Sequence, residues 1–148
     1  MKQRIWEALA AAGGFIASFF TGLPPIVWVL VTVMGLDYLT GVLCGLRGKS
    51  PKTANGGVSS QTAFNGLLKK AIIVIVVILS YVLDFLVSSG AGVQFSAVSG
   101  ATCLWFIASE GISILENAAA LGVKIPQVLL QALEIVKSKG GENKPPEA

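Results

Sequence analysis

Histidine is absent from this 148-residue sequence, and with it the side chain most often used for proton transfer near neutral pH and for holding transition metals. No cluster with metal-ligand spacing, no phosphate-cradling glycine loop and no serine nucleophile arrangement takes its place, so the expectation is a protein that is not an enzyme and carries no cofactor. Charge is scarce too, at 13% of residues against 53% hydrophobic and a mean hydropathy of +0.74. That is too little polar surface to cover a soluble globule. The net charge of +3 comes with no continuous basic stripe, which argues against nucleic acid as a partner. The two cysteines, Cys44 and Cys103, both fall inside apolar runs and read as unpaired core or lipid-facing residues.

What is present is hydrocarbon in two long blocks. Ala8 to Leu46 and Ala71 to Ser109 each run for 39 residues with one charged side chain apiece, Asp37 and Asp84. A bilayer core about 30 Å thick takes roughly 20 apolar residues per helical crossing, so each block fits a hairpin of two spans. The 24 residues between them, Arg47 to Lys70, hold five basic and no acidic side chains. The predicted fold is therefore an all-α integral membrane protein. It has three to four transmembrane helices, as two hairpins joined by a basic cytoplasmic loop, plus a C-terminal amphipathic helix.

Along the chain, Ala8 to Leu23 is a short first span ending at Pro24-Pro25, where a helix cannot comfortably continue. Lys2, Arg4 and this apolar run mimic a secretory signal, but Glu7 and the immediate second run favour retention. Further spans are expected from Ile26 to Leu46, from Ala71 to about Val87, and from about Phe95 to Leu115. Ser88-Ser89-Gly90 and Gly92 mark the turn between the last two, and Asn55-Gly56-Gly57 in the central loop reads as a flexible linker. Both outer turns lack lysine and arginine, whereas the N-terminus, loop and tail hold all eleven, which predicts an N-in, C-in orientation. Leu121-Gly122 is a helix stop and Pro126 suits the first turn of a new helix. Ile125, Leu129, Leu130, Leu133 and Val136 recur near a 3.6 period, defining a helix on the inner leaflet, on a neighbouring subunit, or against its own bundle. The organisation read is a transmembrane region 1–120, the amphipathic helix 121–139 and a disordered tail 140–148.

Asp37 and Asp84 need a reason, because a carboxylate well inside a bilayer costs on the order of 2.5–3.5 kcal/mol on insertion scales. Counted from Arg47 and Lys70 they lie roughly 15 and 21 Å deep, at broadly similar depth. Two explanations stand: they face a water-filled lumen or intersubunit seam, or they are satisfied within one chain by Thr40, or by Ser80 and Ser88. Small residues at four-residue spacing, Ala10, Gly14, Ser18 and Gly22 in the first segment and Gly41 with Gly45 in the second, mark faces for close helix contact. Glu110 and Glu116 sit about 120° apart around a helix, which excludes a shared general acid and base role. One of them is expected to meet Lys69 or Lys70. The candidate pore or oligomer-interface residues are thus Asp37, Thr40, Gly41, Gly45, Asp84, Glu110 and Glu116.

Three segments resemble the TcdE-type toxin-secretion and phage-lysis holin family: Asp37-Tyr38-Leu39-Thr40-Gly41, Gly66-Leu67-Leu68-Lys69-Lys70, and Glu110 to Ala119 followed by Leu121-Gly122-Val123 and Ile125-Pro126. Their order and spacing cover about 60% of the chain. The resemblance implies a phage-type holin of the bacterial inner membrane that forms homo-oligomers in the lipid bilayer. It opens timed lesions through which endolysin or toxin leaves as cargo, and the family brings no catalytic residues to carry over. The central loop here is longer and richer in glycine and serine than the lysine-serine linker of the family. Met34 is the only methionine after Met1, so an antiholin would be a separate partner or act through the charged termini. The alternatives are an antiholin, or a small ion channel or transporter subunit using Asp37 and Asp84 for protons or cations.

Overall fold

The computed structural model describes residues 3–7, 10, 11, 14, 21–92, 94 and 96–140. Most of the first apolar segment, including Ser18, and the tail 141–148 lie outside these. Ala10 and Gly14 are helical and exposed, and Gly22 is exposed in the turn before Pro24. Four helices follow: α1 (Pro25–Leu46), α2 (Ser60–Ala91), α3 (Ala97–Ala120) and α4 (Gln127–Gly140). Of these, α1, α2 and α3 are long and apolar enough to cross a membrane. This is an all-α membrane protein.

Local chemistry sets the ends. Pro25 opens α1 at its first position, where a missing N–H costs nothing. Ser59 starts α2, its hydroxyl accepting from the Thr62 N–H at 3.4 Å. The helix then runs to Ala91 and turns at Gly92 as expected of that glycine, while Ser88-Ser89-Gly90 stays helical. The predicted start at Ala71 is corrected by eleven residues: 60–70 is polar enough to resemble a loop, yet it continues the same helix. Leu121-Gly122 ends α3 as expected. Gly122 N–H bonds Ala119 O at 2.9 Å and Val123 N–H bonds Ala118 O at 3.0 Å, a Schellman pairing that needs the left-handed φ of +94° at Gly122.

The stretch 47–59 is not a free linker. Ser50 N–H bonds Gly56 O at 2.8 Å and the Thr53 hydroxyl donates to Gly57 O at 2.9 Å, closing the loop on itself. Val58 then packs on Gly45, where a Cβ would come within 2.9 Å of its Cγ2. Gly56 has φ +71°, and a Cβ there would lie 2.2 Å from the Gly48 carbonyl oxygen. Gly56→Ala is therefore expected to spring the loop open while the helices persist, detected as faster protease cleavage within 47–59 with unchanged far-ultraviolet circular dichroism.

The bundle is organised around α3, which packs on α1, α2 and α4, while α1 and α2 barely touch. Buried positions follow three- and four-residue steps: Val27, Leu30, Met34, Asp37 and Cys44 on α1, Ile73, Val77, Ser80 and Asp84 on α2, Ser99, Cys103, Glu110 and Asn117 on α3. Such a repeat keeps one seam of each helix facing its neighbours. One half of the interior is apolar, with Val27, Leu30, Met34, Ile73, Val77 and Cys103 in contact; the other half, toward the loop, is polar. The outer faces of α1 and α2 are the reverse of a soluble protein, with Val29, Leu39, Ile75, Leu79, Phe85 and Leu86 about half exposed or more. Lipid is their solvent, so close packing and polar contacts, rather than the hydrophobic effect, hold the helices together. Of the three positions left open for the amphipathic helix, α4 takes a place against its own bundle, with Leu133 on Gly111.

Candidate functional site

The polar half of the interior centres on Lys70. Its position in the three-and-four register of α2, one turn before Ile73, turns the ammonium inward between α1 and α3. Lys70 Nζ donates to Asp37 Oδ2 at 2.8 Å and to Glu110 Oε2. All three side chains are nearly sealed, at 11%, 9% and 2% exposure for Lys70, Asp37 and Glu110. A buried charge needs a partner and further hydrogen bonds to be tolerated. Asp37 Oδ1 accepts a hydrogen bond from Asn117 Nδ2 at 3.4 Å and has the Lys52 ammonium of the loop as an ion-pair partner at 3.8 Å. Glu110 Oε1 has Lys69 at 3.9 Å.

Around this core lies a second layer of contacts. Asn117 Nδ2 also donates to Thr40 Oγ1 at 3.0 Å, and Thr40 Oγ1 donates to the Asp37 carbonyl at 3.0 Å. Cys44 Sγ donates to the Asn117 carbonyl at 3.1 Å. Gly41 faces Asn117 of α3, and a Cβ there would stand 3.7 Å from Asn117 Nδ2, an ordinary van der Waals contact. The folded loop closes the side, with Lys52 Nζ donating to Ser113 Oγ at 3.2 Å. Among the described residues Asn117 Oδ1 is the buried side-chain polar atom without a hydrogen-bond partner.

The structure thus brings Asp37, Thr40, Gly41 and Glu110 into one network, and Glu110 takes both lysines named for it. Gly45 faces Val58 of the loop. Glu116 is exposed and stands apart. Asp84 forms a separate site: its Oδ1 accepts from the Val98 N–H at 3.1 Å and its Oδ2 from the Ser99 N–H at 2.8 Å. It caps the N-terminus of α3 from a neighbouring helix, satisfying two donors that have no partner inside their own helix. Ser80 donates instead to the Val77 carbonyl. The depth reading is corrected as well. Asp37 is level with Lys70, and Asp84 lies 14 residues, roughly 21 Å, further along α2, because α2 begins at Ser60 and not at the lysine pair.

Sequence reasoning assigned no role to Lys52 or to the Asn117 side chain, read Cys44 for packing alone, and placed Lys70 at the border of a loop as a partner for Glu110 or Glu116 but not for Asp37. Two signals point to them. Lys70 continues the Ile73, Val77, Ser80, Asp84 register, and Cys103, Glu110 and Asn117 recur every seven residues on one face. No group of three or more His, Cys, Asp or Glu among the described residues is placed to hold a metal ion. The arrangement is suited to tying α1, α2 and α3 together at one level, with three lysines facing two carboxylates.

Fold and site together define a small multi-span helical membrane protein whose Asp37, Lys70, Asp84 and Glu110 are turned into its own interior. The family model of the bacteriophage holin family matches residues 14–138, and the chain belongs to that family. It is 38% identical over 130 residues to an uncharacterized protein of Clostridium perfringens, covering 84% of this chain and 87% of the relative. A protein of Bacillus phage phi105 named a probable holin is 33% identical over 103 residues, covering 70% of this chain and 67% of that protein. An uncharacterized protein of Listeria monocytogenes is 30% identical over 132 residues, 88% of this chain and 85% of the relative. No solved structure matches.

Proposed function

We propose that this chain is a holin in action as well as in family: copies accumulate in the bacterial inner membrane, associate, and open a lesion through which endolysin reaches the cell wall. The observation that carries the reading is the match to the holin family over most of the chain, joined to a relative named a probable holin. An apolar exterior with the charges folded inward supports it, because such a chain persists harmlessly as a single copy and has wettable groups to expose on association. The basic N-terminus, loop and tail favour an N-in, C-in orientation.

In this reading Asp37 and Glu110 are sealed in the single chain, with Thr40 and Gly41 half-buried beside Asp37, and all four become wetted when association separates the carboxylates from Lys70. Contacts between copies involve Glu116 and the small-residue face Ala10, Gly14, Ser18 and Gly22. The test is induction in a bacterium that also makes a cytoplasmic endolysin without an export signal. An abrupt, delayed fall in culture density with enzyme activity outside the cells is expected. Continued growth despite confirmed insertion would overturn the reading in favour of an inhibitory antiholin, and potassium loss without enzyme release in favour of a small ion channel.

A further inference from the structure

Beside the charge network, on the lipid side of the seam between α2 and α3, lies an open groove of about 420 Å³. Its walls change character along its length. Toward the loop they carry Asn65, Lys69, Ser109 and the edge of Glu110, whose side chain is 2% exposed; toward the membrane centre they carry Ile72, Trp105 and Phe106. Trp105 and Phe106 meet edge to face, with ring centroids 5.0 Å apart, and form a firm apolar wall. Since α2 and α3 run antiparallel, the polar residues of both fall at the same end.

The charge exposed at that end is positive, since Glu110 is covered and has both Lys69 and Lys70 on it. Lys52, Lys69 and Lys70 face the two carboxylates Asp37 and Glu110, a surplus of one cation. Lys70 holds the near side of both carboxylates, whereas Lys69 stands at 3.9 Å from Glu110 with 70% of its side chain exposed. The surplus is therefore presented in the groove at Lys69. A polar, cationic end near the basic loop followed by an apolar trough matches the axial layout of one phospholipid: a phosphate at the membrane surface and an acyl chain running inward.

We infer that the α2–α3 groove binds an anionic phospholipid, its phosphate on Lys69 with Asn65 and Ser109 beside it, and an acyl chain along Ile72, Trp105 and Phe106. The site goes beyond the lesion-forming reading, and its readout does not involve lysis. It also gives Lys69 a role that a free juxtamembrane lysine lacks, since the lipid would sit directly against the network that joins the three helices.

The test is native mass spectrometry of the full-length protein in detergent micelles containing equal phosphatidylglycerol and phosphatidylcholine. Wild type is expected to retain phosphatidylglycerol about five-fold over phosphatidylcholine, equivalent to ~1 kcal/mol for one lysine. Lys69→Gln should bring the ratio to unity, while Lys69→Arg and the exposed loop variant Lys49→Gln keep it; circular dichroism of each variant verifies the fold. Ser109→Trp, which fills the groove and leaves every charge in place, should reduce binding of both lipids. The inference is overturned if Lys69→Gln retains the preference, if Lys49→Gln removes it equally, or if glycerol 3-phosphate alone displaces the lipid, which would assign the cation to a free phosphate ester.

Discussion

Lys70→Met is expected to destabilise the detergent-solubilised protein by about 3–5 kcal/mol, the cost typical of removing one partner from a buried ion pair. Methionine matches the length of the lysine stem, so the loss is electrostatic rather than a cavity. The two carboxylates do not suffer equally. Asp37 keeps the Asn117 amide and Lys52, but Glu110, at 2% exposure, keeps only Lys69 at 3.9 Å. Adding Glu110→Gln to Lys70→Met should therefore restore more stability than adding Asp37→Asn. Unfolding by dodecyl sulfate titration, followed by circular dichroism, reads both comparisons. A Lys70→Met protein as stable as wild type would refute the network as the tie between the helices.

Asp84→Ala is the second large effect, and it acts elsewhere. The substitution leaves the Val98 and Ser99 N–H groups without acceptors in an apolar setting. A lost cap costs about 0.5–2 kcal/mol and each unsatisfied buried donor about 1–3 kcal/mol, so a combined loss of roughly 2–5 kcal/mol is expected. Its signature is local. Cys103 is fully buried one turn further along α3, so a membrane-permeant maleimide should label it several times faster in the variant while Cys44, in the polar half, changes little. Asp84→Asn preserves one acceptor and should fall between. Equal labelling of Cys103 in wild type and Asp84→Ala would remove the capping role.

The spans were legible because lipid imposes a blunt requirement of length and apolarity, and α1 begins at Pro25, one residue before its predicted start at Ile26. Residues 60–70 escaped because Gln61, Thr62, Asn65 and the two lysines resemble a solvated loop in composition; only the three-and-four register reveals that Lys70 points inward. The same error displaced the depth of Asp84, whose position had been counted from that border. Asp37 and Asp84 could be singled out from their cost, but not their partners, since backbone N–H groups at a distant helix start leave no mark in residue identity. Gly56 shows the opposite ambiguity. Glycine signals freedom in an unfolded chain and enforced geometry in a folded one, and here the close approach of the Gly48 carbonyl decides.

Because α1 packs on α3 and hardly on α2, the order of synthesis sets a waiting time on Asp37. Its cations, Lys52 and Lys70, are made within 33 residues, and its amide partner Asn117 comes 80 residues later. At about 5–20 residues per second that second interval is roughly 4–16 s. For that time the nascent chain holds a carboxylate in the bilayer with at most the loop and α2 lysines beside it and no amide partner, and α1 has no groove to lie in. Each new copy passes through an incomplete assembly on the ribosome, and the last long helix to emerge closes it.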